Sequence, residues 1–174
     1  LALIGRRLEV TTAREEIAKL FWEQARVLRE KGVPDGALDA LDHVKKWGPA
    51  VILSDGDVVF QPRKVERSGL LEAVDGNALI YVHKEKELDD VEQRYPAERY
   101  VLVDDKLRIL DAVKKIWGKR VTTVFPRQGQ YAHDSKAVTG YPRADITVER
   151  IGDLVDYDLP ALLAGNNQSK FSRR

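Results

Sequence analysis

An α/β fold, a parallel sheet with helices on both faces, is what this sequence predicts, on two observations. Short apolar runs alternate with amphipathic helical stretches from about residue 35 to residue 150. The runs are wholly apolar rather than alternating with polar residues, as expected of strands covered on both sides. At 174 residues the chain is long enough for one domain with a real core.

The elements follow in order. Residues 15–28 read as a helix, with Ile17, Leu20, Phe21, Ala25 and Leu28 on one face and Thr12 with Glu15 as a capping box. Gly32 and Pro34 stop it. A second helix spans about residues 35–47 and ends at Gly48-Pro49. Residues 50–53 (AVIL) form a buried strand, and residues 59–68 a helix with Pro62 in its first turn. Strands are then predicted over 78–82, 100–103, 121–125 and 146–148, and helices over 85–95 and 106–117. Residues 127–143 read mostly as loop, residues 154–163 as a terminal helical stretch, and the polar end GNNQSKFSRR as frayed. The expected organisation is an N-terminal helical segment over 1–33, an α/β core over 34–164 and a flexible tail over 165–174.

Composition narrows the function. Lys and Arg number 29 against 28 Asp and Glu, so no general basic field points to nucleic acid. Cysteine is absent, which removes disulfide frameworks and thiolate chemistry and agrees with a cytoplasmic setting. No apolar run approaches the roughly 20 residues of a membrane span, and no signal peptide is visible.

In parallel sheets ligands bind beyond the carboxyl ends of the strands, so the polar residues there carry the functional argument. The first end is Ser54-Asp55-Gly56-Asp57. Gly56 permits a tight turn into a helix whose free N–H groups favour a phosphate, with the Ser54 hydroxyl as a further donor. The same residues also suit an ordinary capping turn. The second end is His83-Lys84-Glu85-Lys86, where a lysine brings an ammonium to the edge of the sheet, or where a charged helix simply starts. The third is Asp104-Asp105-Lys106. Adjacent carboxylates at a buried strand end need a cation, amide donors or a shifted pKa, and Mg²⁺ favours one or two carboxylates with water and phosphate. Alternatively Asp105 caps the next helix and Asp104 is solvated. Taken together, a hydroxyl, a cation and a metal anchor on one sheet edge form a phosphoryl-binding set.

These residues, in this order, resemble the haloacid dehalogenase superfamily, whose members are mainly phosphatases. VILSDGD resembles the family's second motif, with Ser54 in its role; Lys84, or failing it Lys86, fits the third; YVLVDD, with Asp104 and Asp105, resembles the fourth. The similarity covers about residues 34–163. It implies a three-layer, Rossmann-like core and a Mg²⁺-dependent hydrolase of small phosphorylated substrates. Ser54 and Lys84 then serve as catalytic residues, Ser54, Asp55, Gly56 and Lys84 bind phosphate, and Asp104 and Asp105 hold the metal. The family's first motif, an Asp-x-Asp whose first Asp is the nucleophile, is not visible. The expectation is that a segment bearing it precedes Leu1, with residues 1–33 as part of a helical cap, because losing a central strand exposes two edges inside the sheet. The rival is a catalytically degenerate, phosphate-binding or protein-interaction domain with Leu1-Ala2-Leu3-Ile4 as a surrogate strand. A haloacid dehalogenase in the strict sense fits the paired acids less well.

Overall fold

The computed structural model describes residues 36–55, 70–128 and 138–158. In order these give α1 (Ala37–Lys45), β1 (Ile52–Asp55), α2 (Leu70–Ala73), β2 (Ala78–Tyr81), a 3-10 turn (Lys84–Lys86) and α3 (Leu88–Arg94). They continue with β3 (Tyr100–Val103), α4 (Leu107–Trp117), a 3-10 turn (Gly118–Arg120), β4 (Val121–Pro126), β5 (Ile146–Val148) and a 3-10 helix (Ile151–Asp156).

Three layers follow from alternation along β3 and β4. Tyr100 and Leu102 face α3 and α4, joining Leu88, Val91, Ile109, Val113, Trp117 and Val121 in one apolar cluster. Val101 and Val103 point the other way, with Val124, onto Ala40 and Val44 of α1 and onto Leu154 and Tyr157. A period of two places successive side chains on opposite faces, so strands this apolar need cover on both. α4 holds the first face. Its Ile109 and Val113 are fully buried, and Trp117 stacks on Tyr100 with ring centroids 4.3 Å apart.

All strand pairs are parallel, but they form two sheets: β1–β2, and β3–β4–β5. The two share the α3/α4 core, since Leu53 of the first, with Val51 just before it, packs in the same cluster as Tyr100 and Leu102 of the second. The Ile52 amide bonds Asn77 O beside β2, and the Asp104 amide bonds Val124 of β4. Backbone groups alternate in direction along a strand, so Leu53 and Asp55 on one side, and Val101 and Val103 on the other, turn theirs away from these partners. Among the described residues no strand pairs with either free edge. Burial reflects this: β1 and β3 are only partly buried throughout, whereas every residue of β4 is buried.

Several sequence expectations shift. β1 runs to Asp55 instead of stopping at Leu53, because Ser54 and Asp55 continue the ladder opposite Ile80 and Tyr81. The helix expected over 85–95 starts at Leu88, after a 3-10 turn that draws Lys84 and Glu85 inward. Short α2 was not foreseen. Its stop was legible in Asp75-Gly76, both at positive φ, with the Gly76 amide returning to Leu71 O. The terminal helix is a 3-10 helix over Ile151–Asp156 as far as it is described. The expected helices over 15–28 and 59–68, Gly56, and the tail over 165–174 lie outside the described residues. No helix among the described residues is long and apolar enough to cross a membrane.

Gly36 enters α1 at φ 76°, and a Cβ there would stand 2.8 Å from the Gly152 Cα. Both strain and collision oppose a side chain. Gly36→Ala is therefore expected to destabilise the fold by about 1–3 kcal/mol, read by urea denaturation; an unchanged midpoint contradicts this close approach.

Candidate functional site

The site is built where β1, β2 and β3 end. Lys84, one of the few buried charged residues, lies in the turn after β2. Its ammonium donates to the free Leu53 carbonyl at 3.2 Å and forms an ion pair with Asp104 Oδ2 at the end of β3. Its backbone amide donates to Asp55 Oδ1 at 2.8 Å, at the end of β1. One residue thus ties three strand ends together and spans the two unpaired edges. Lys86, two positions on, is exposed, as is His83.

The acidic pair divides. Both Asp104 oxygens are engaged, Oδ2 by Lys84 and Oδ1 by the Lys106 amide at 2.9 Å. Asp104 is buried rather than solvated, and the residue at the N-cap of α4 is Lys106, not Asp105, with no side-chain cap hydrogen bond. Burial raises the Asp105 carboxyl pKa, and the Asp104 charge raises it further, against the opposing pull of Lys106 and Lys84. A carboxylate held this way lacks compensating charge.

Ser54 is placed less decisively. It lies within β1, and its hydroxyl donates to Asp55 O over a long 3.4 Å. The structure therefore brings Asp55, Lys84, Asp104 and Asp105 together, leaves the Ser54 hydroxyl on its own chain, and does not describe Gly56. His43 of α1 has Nε2 3.0 Å from the Tyr157 carbonyl, where it helps dock the helix.

The sequence reading missed a second pair on this rim. Arg108 Nη1 donates to Glu85 Oε1 at 2.7 Å. The residues are far apart in sequence, and the one available signal was a cation in the first turn of α4, where acids are favoured.

No protein-family model matches the chain, and no curated protein does. A solved structure does: a protein of Burkholderia xenovorans LB400, described as a haloacid dehalogenase-like hydrolase, is 64% identical and superposes with a TM-score of 0.72 over 75% of this chain. The chain belongs to the haloacid dehalogenase superfamily. It spans 59% of the length of that Burkholderia protein. The superfamily's Rossmann-like α/β core accounts for the parallel strands and their covering helices.

The charge arrangement carries two predictions. Lys84→Met strands Asp104 as a buried, unpaired carboxylate, and should cost about 3–5 kcal/mol in chemical denaturation. The double variant Lys84→Met/Asp104→Leu should recover part of that loss, and a double variant no better than the single argues against the pairing. The second concerns Asp105. A carboxyl whose folded pKa lies above its unfolded value weakens the fold when ionised, and the penalty lifts as pH falls through the folded value toward about 4. Without divalent metal, Asp105→Asn should raise Tm at pH 7 by a few °C, on the order of 1 kcal/mol. The advantage should shrink as pH falls through that window.

Proposed function

We propose that this protein is the larger part of a Mg²⁺-dependent phosphoryl-transfer hydrolase, a phosphatase acting on a small phosphorylated substrate. The carrying observation is Lys84, bonded at once to the ends of β1 and β3. It puts an ammonium where a phosphoryl group would meet Asp55, Asp104 and Asp105. Its inward turn, against the exposed Lys86, supports Lys84 as the functional lysine.

The residues fit a magnesium ion. Among the described residues no three His, Cys, Asp or Glu side chains cluster as a metal site. A two-carboxylate anchor is nonetheless what Mg²⁺ accepts when water and substrate phosphate complete its shell. Asp105, short of compensating charge, is the principal ligand, and Asp104 serves chiefly to hold Lys84. Bound Mg²⁺ would supply charge neutralisation on the phosphoryl oxygens.

The sign of the rim points the same way. Among the described residues Asp55, Glu85, Asp104 and Asp105 outnumber Lys84, Lys106 and Arg108, so these side chains alone offer a phosphate dianion no net attraction. A dication reverses that sign.

The reaction needs a nucleophile. Asp104 is fully engaged by its hydrogen bonds, and Asp55 is bonded to the Lys84 amide. The superfamily's aspartyl nucleophile would enter on a parallel strand between the free edges of β1 and β3, beside Lys84, from a segment outside this sequence. Its carboxylate forms a bond to phosphorus as the bond to the leaving oxygen breaks. Water then hydrolyses the aspartyl-phosphate and releases inorganic phosphate. Lys84 holds the phosphoryl oxygens through the transfer, with the Ser54 hydroxyl as a further donor once its side chain turns to the site.

The engagement of every described rim carboxylate but Asp105 favours a second reading, a binding domain without catalysis. Both readings expect inorganic phosphate to raise Tm, and to do so only with Mg²⁺. They part on turnover. A protein carrying the upstream Asp-x-Asp should hydrolyse p-nitrophenyl phosphate with Mg²⁺, and Asp105→Asn should lower kcat/KM by about 10²-fold or more. Phosphate binding without turnover in that protein leaves the binding domain standing and removes the enzyme.

A further inference from the structure

The Glu85–Arg108 pair has no part in the transfer just described, yet it is built into the same rim. Glu85 directly follows Lys84, and Arg108 lies three residues beyond Asp105 at the start of α4. The pair therefore links the turn after β2 to the helix after β3, as Lys84–Asp104 does.

Its burial is lopsided. The Glu85 side chain is 10% exposed and that of Arg108 48%. Burial pushes the Glu85 carboxyl up, but the Arg108 hydrogen bond, a backbone hydrogen bond and the Arg108 charge bring it below the ordinary range. It stays ionised and fixes the guanidinium in place. Its other oxygen, Oε2, is buried with no hydrogen-bond partner among the described residues. That oxygen is an acceptor, so it leaves the guanidinium as the group in this corner that can receive an anion.

Arg108 is an odd choice for a purely structural cation. It stands in the first turn of α4, whose positive end disfavours it, and that turn carries no acid. The pair is open to solvent on the Arg108 side, where screening weakens its contribution to stability. The guanidinium offers five N–H donors in a rigid fork, and its hydrogen bond to Glu85 occupies one.

We propose that Arg108, positioned by Glu85, binds a carboxylate on the leaving group of a small phosphomonoester, so that substrates bear two anionic ends. This rests on the phosphoryl-transfer reading: Lys84 and the metal take the phosphoryl end, and Arg108 takes the other through paired N–H···O bonds.

The test uses two phosphonates that resist hydrolysis and differ only at the far end, 3-phosphonopropionate and propylphosphonate. Their Kd values for the full-length protein with Mg²⁺ are measured by calorimetry, with inorganic phosphate as reference. The carboxylate-bearing compound should bind at least tenfold more tightly. Arg108→Gln should bring the ratio toward one, Arg108→Lys should keep part of it, and Glu85→Gln should reduce it by loosening the guanidinium. Arg108→Lys also covers the case in which Arg108→Gln fails to fold. Inorganic phosphate binding with equal Kd values for the two phosphonates, or a preference that survives Arg108→Gln, overturns the role of Arg108 alone. If neither phosphonate nor inorganic phosphate binds, the phosphoryl-transfer reading falls and this proposal falls with it.

Discussion

A buried ammonium joined to a buried carboxylate is costly unless every remaining bond is made. Asp104 meets that condition at both oxygens, and Lys84 at two of its three N–H donors. Asp104 accepts from Lys84 and from the Lys106 amide, and Lys84 also donates to the Leu53 carbonyl. Replacing the pair by apolar groups of similar size would leave the core no worse packed, so its presence answers another need. It ties three strand ends together and gives β1 a donor for the Leu53 carbonyl, which has no strand partner among the described residues. The rim's geometry depends on this contact more than on any other.

The layers explain how such a polar knot survives. β3 and β4 are covered on both faces, so their ends are rigid platforms rather than fraying tips. α4, anchored by Ile109, Val113 and the Trp117–Tyr100 stack, projects Asp105, Lys106 and Arg108 from its start. A side chain at the mouth of a packed helix is held more closely than one on a loop. The same packing leaves Asp105 half sunk beside Asp104 and raises its pKa. Folding thus stores electrostatic tension at Asp105, where burial and the Asp104 charge outweigh the groups that favour its ionised form.

Much of this was legible in the sequence, because the strands are short and wholly apolar. YVLV and VTTVF are strands close to where their pattern places them, and the helix after Asp105 is one residue shorter than expected. The end of β1 was not legible. Ser-Asp reads as a turn, but pairing with Ile80 and Tyr81 carries the ladder through both residues. Whether strands join one sheet or two is set by long-range pairing, which local patterns do not encode. The separate fates of Asp104 and Asp105 depend on Lys84, twenty residues away. Glu85 reads as part of a charged helix start because nothing local marks a glutamate as buried.

Electrostatics orders the events the site can support. The described rim carboxylates outnumber the described rim cations, so a dianion arriving first meets little net attraction, and the proposed phosphoryl transfer requires a dication beside it. The ammonium of Lys84 does not remove this requirement, because Asp104 already balances it at contact distance. Arg108 is balanced in the same way by Glu85. Each cation is therefore neutralised in the resting site yet keeps donors to spare, so an arriving anion gains directional hydrogen bonds rather than raw attraction. Such a site discriminates by geometry more than by charge. That suits a substrate fixed at two points, and it disfavours indiscriminate capture of whatever polyanion drifts past.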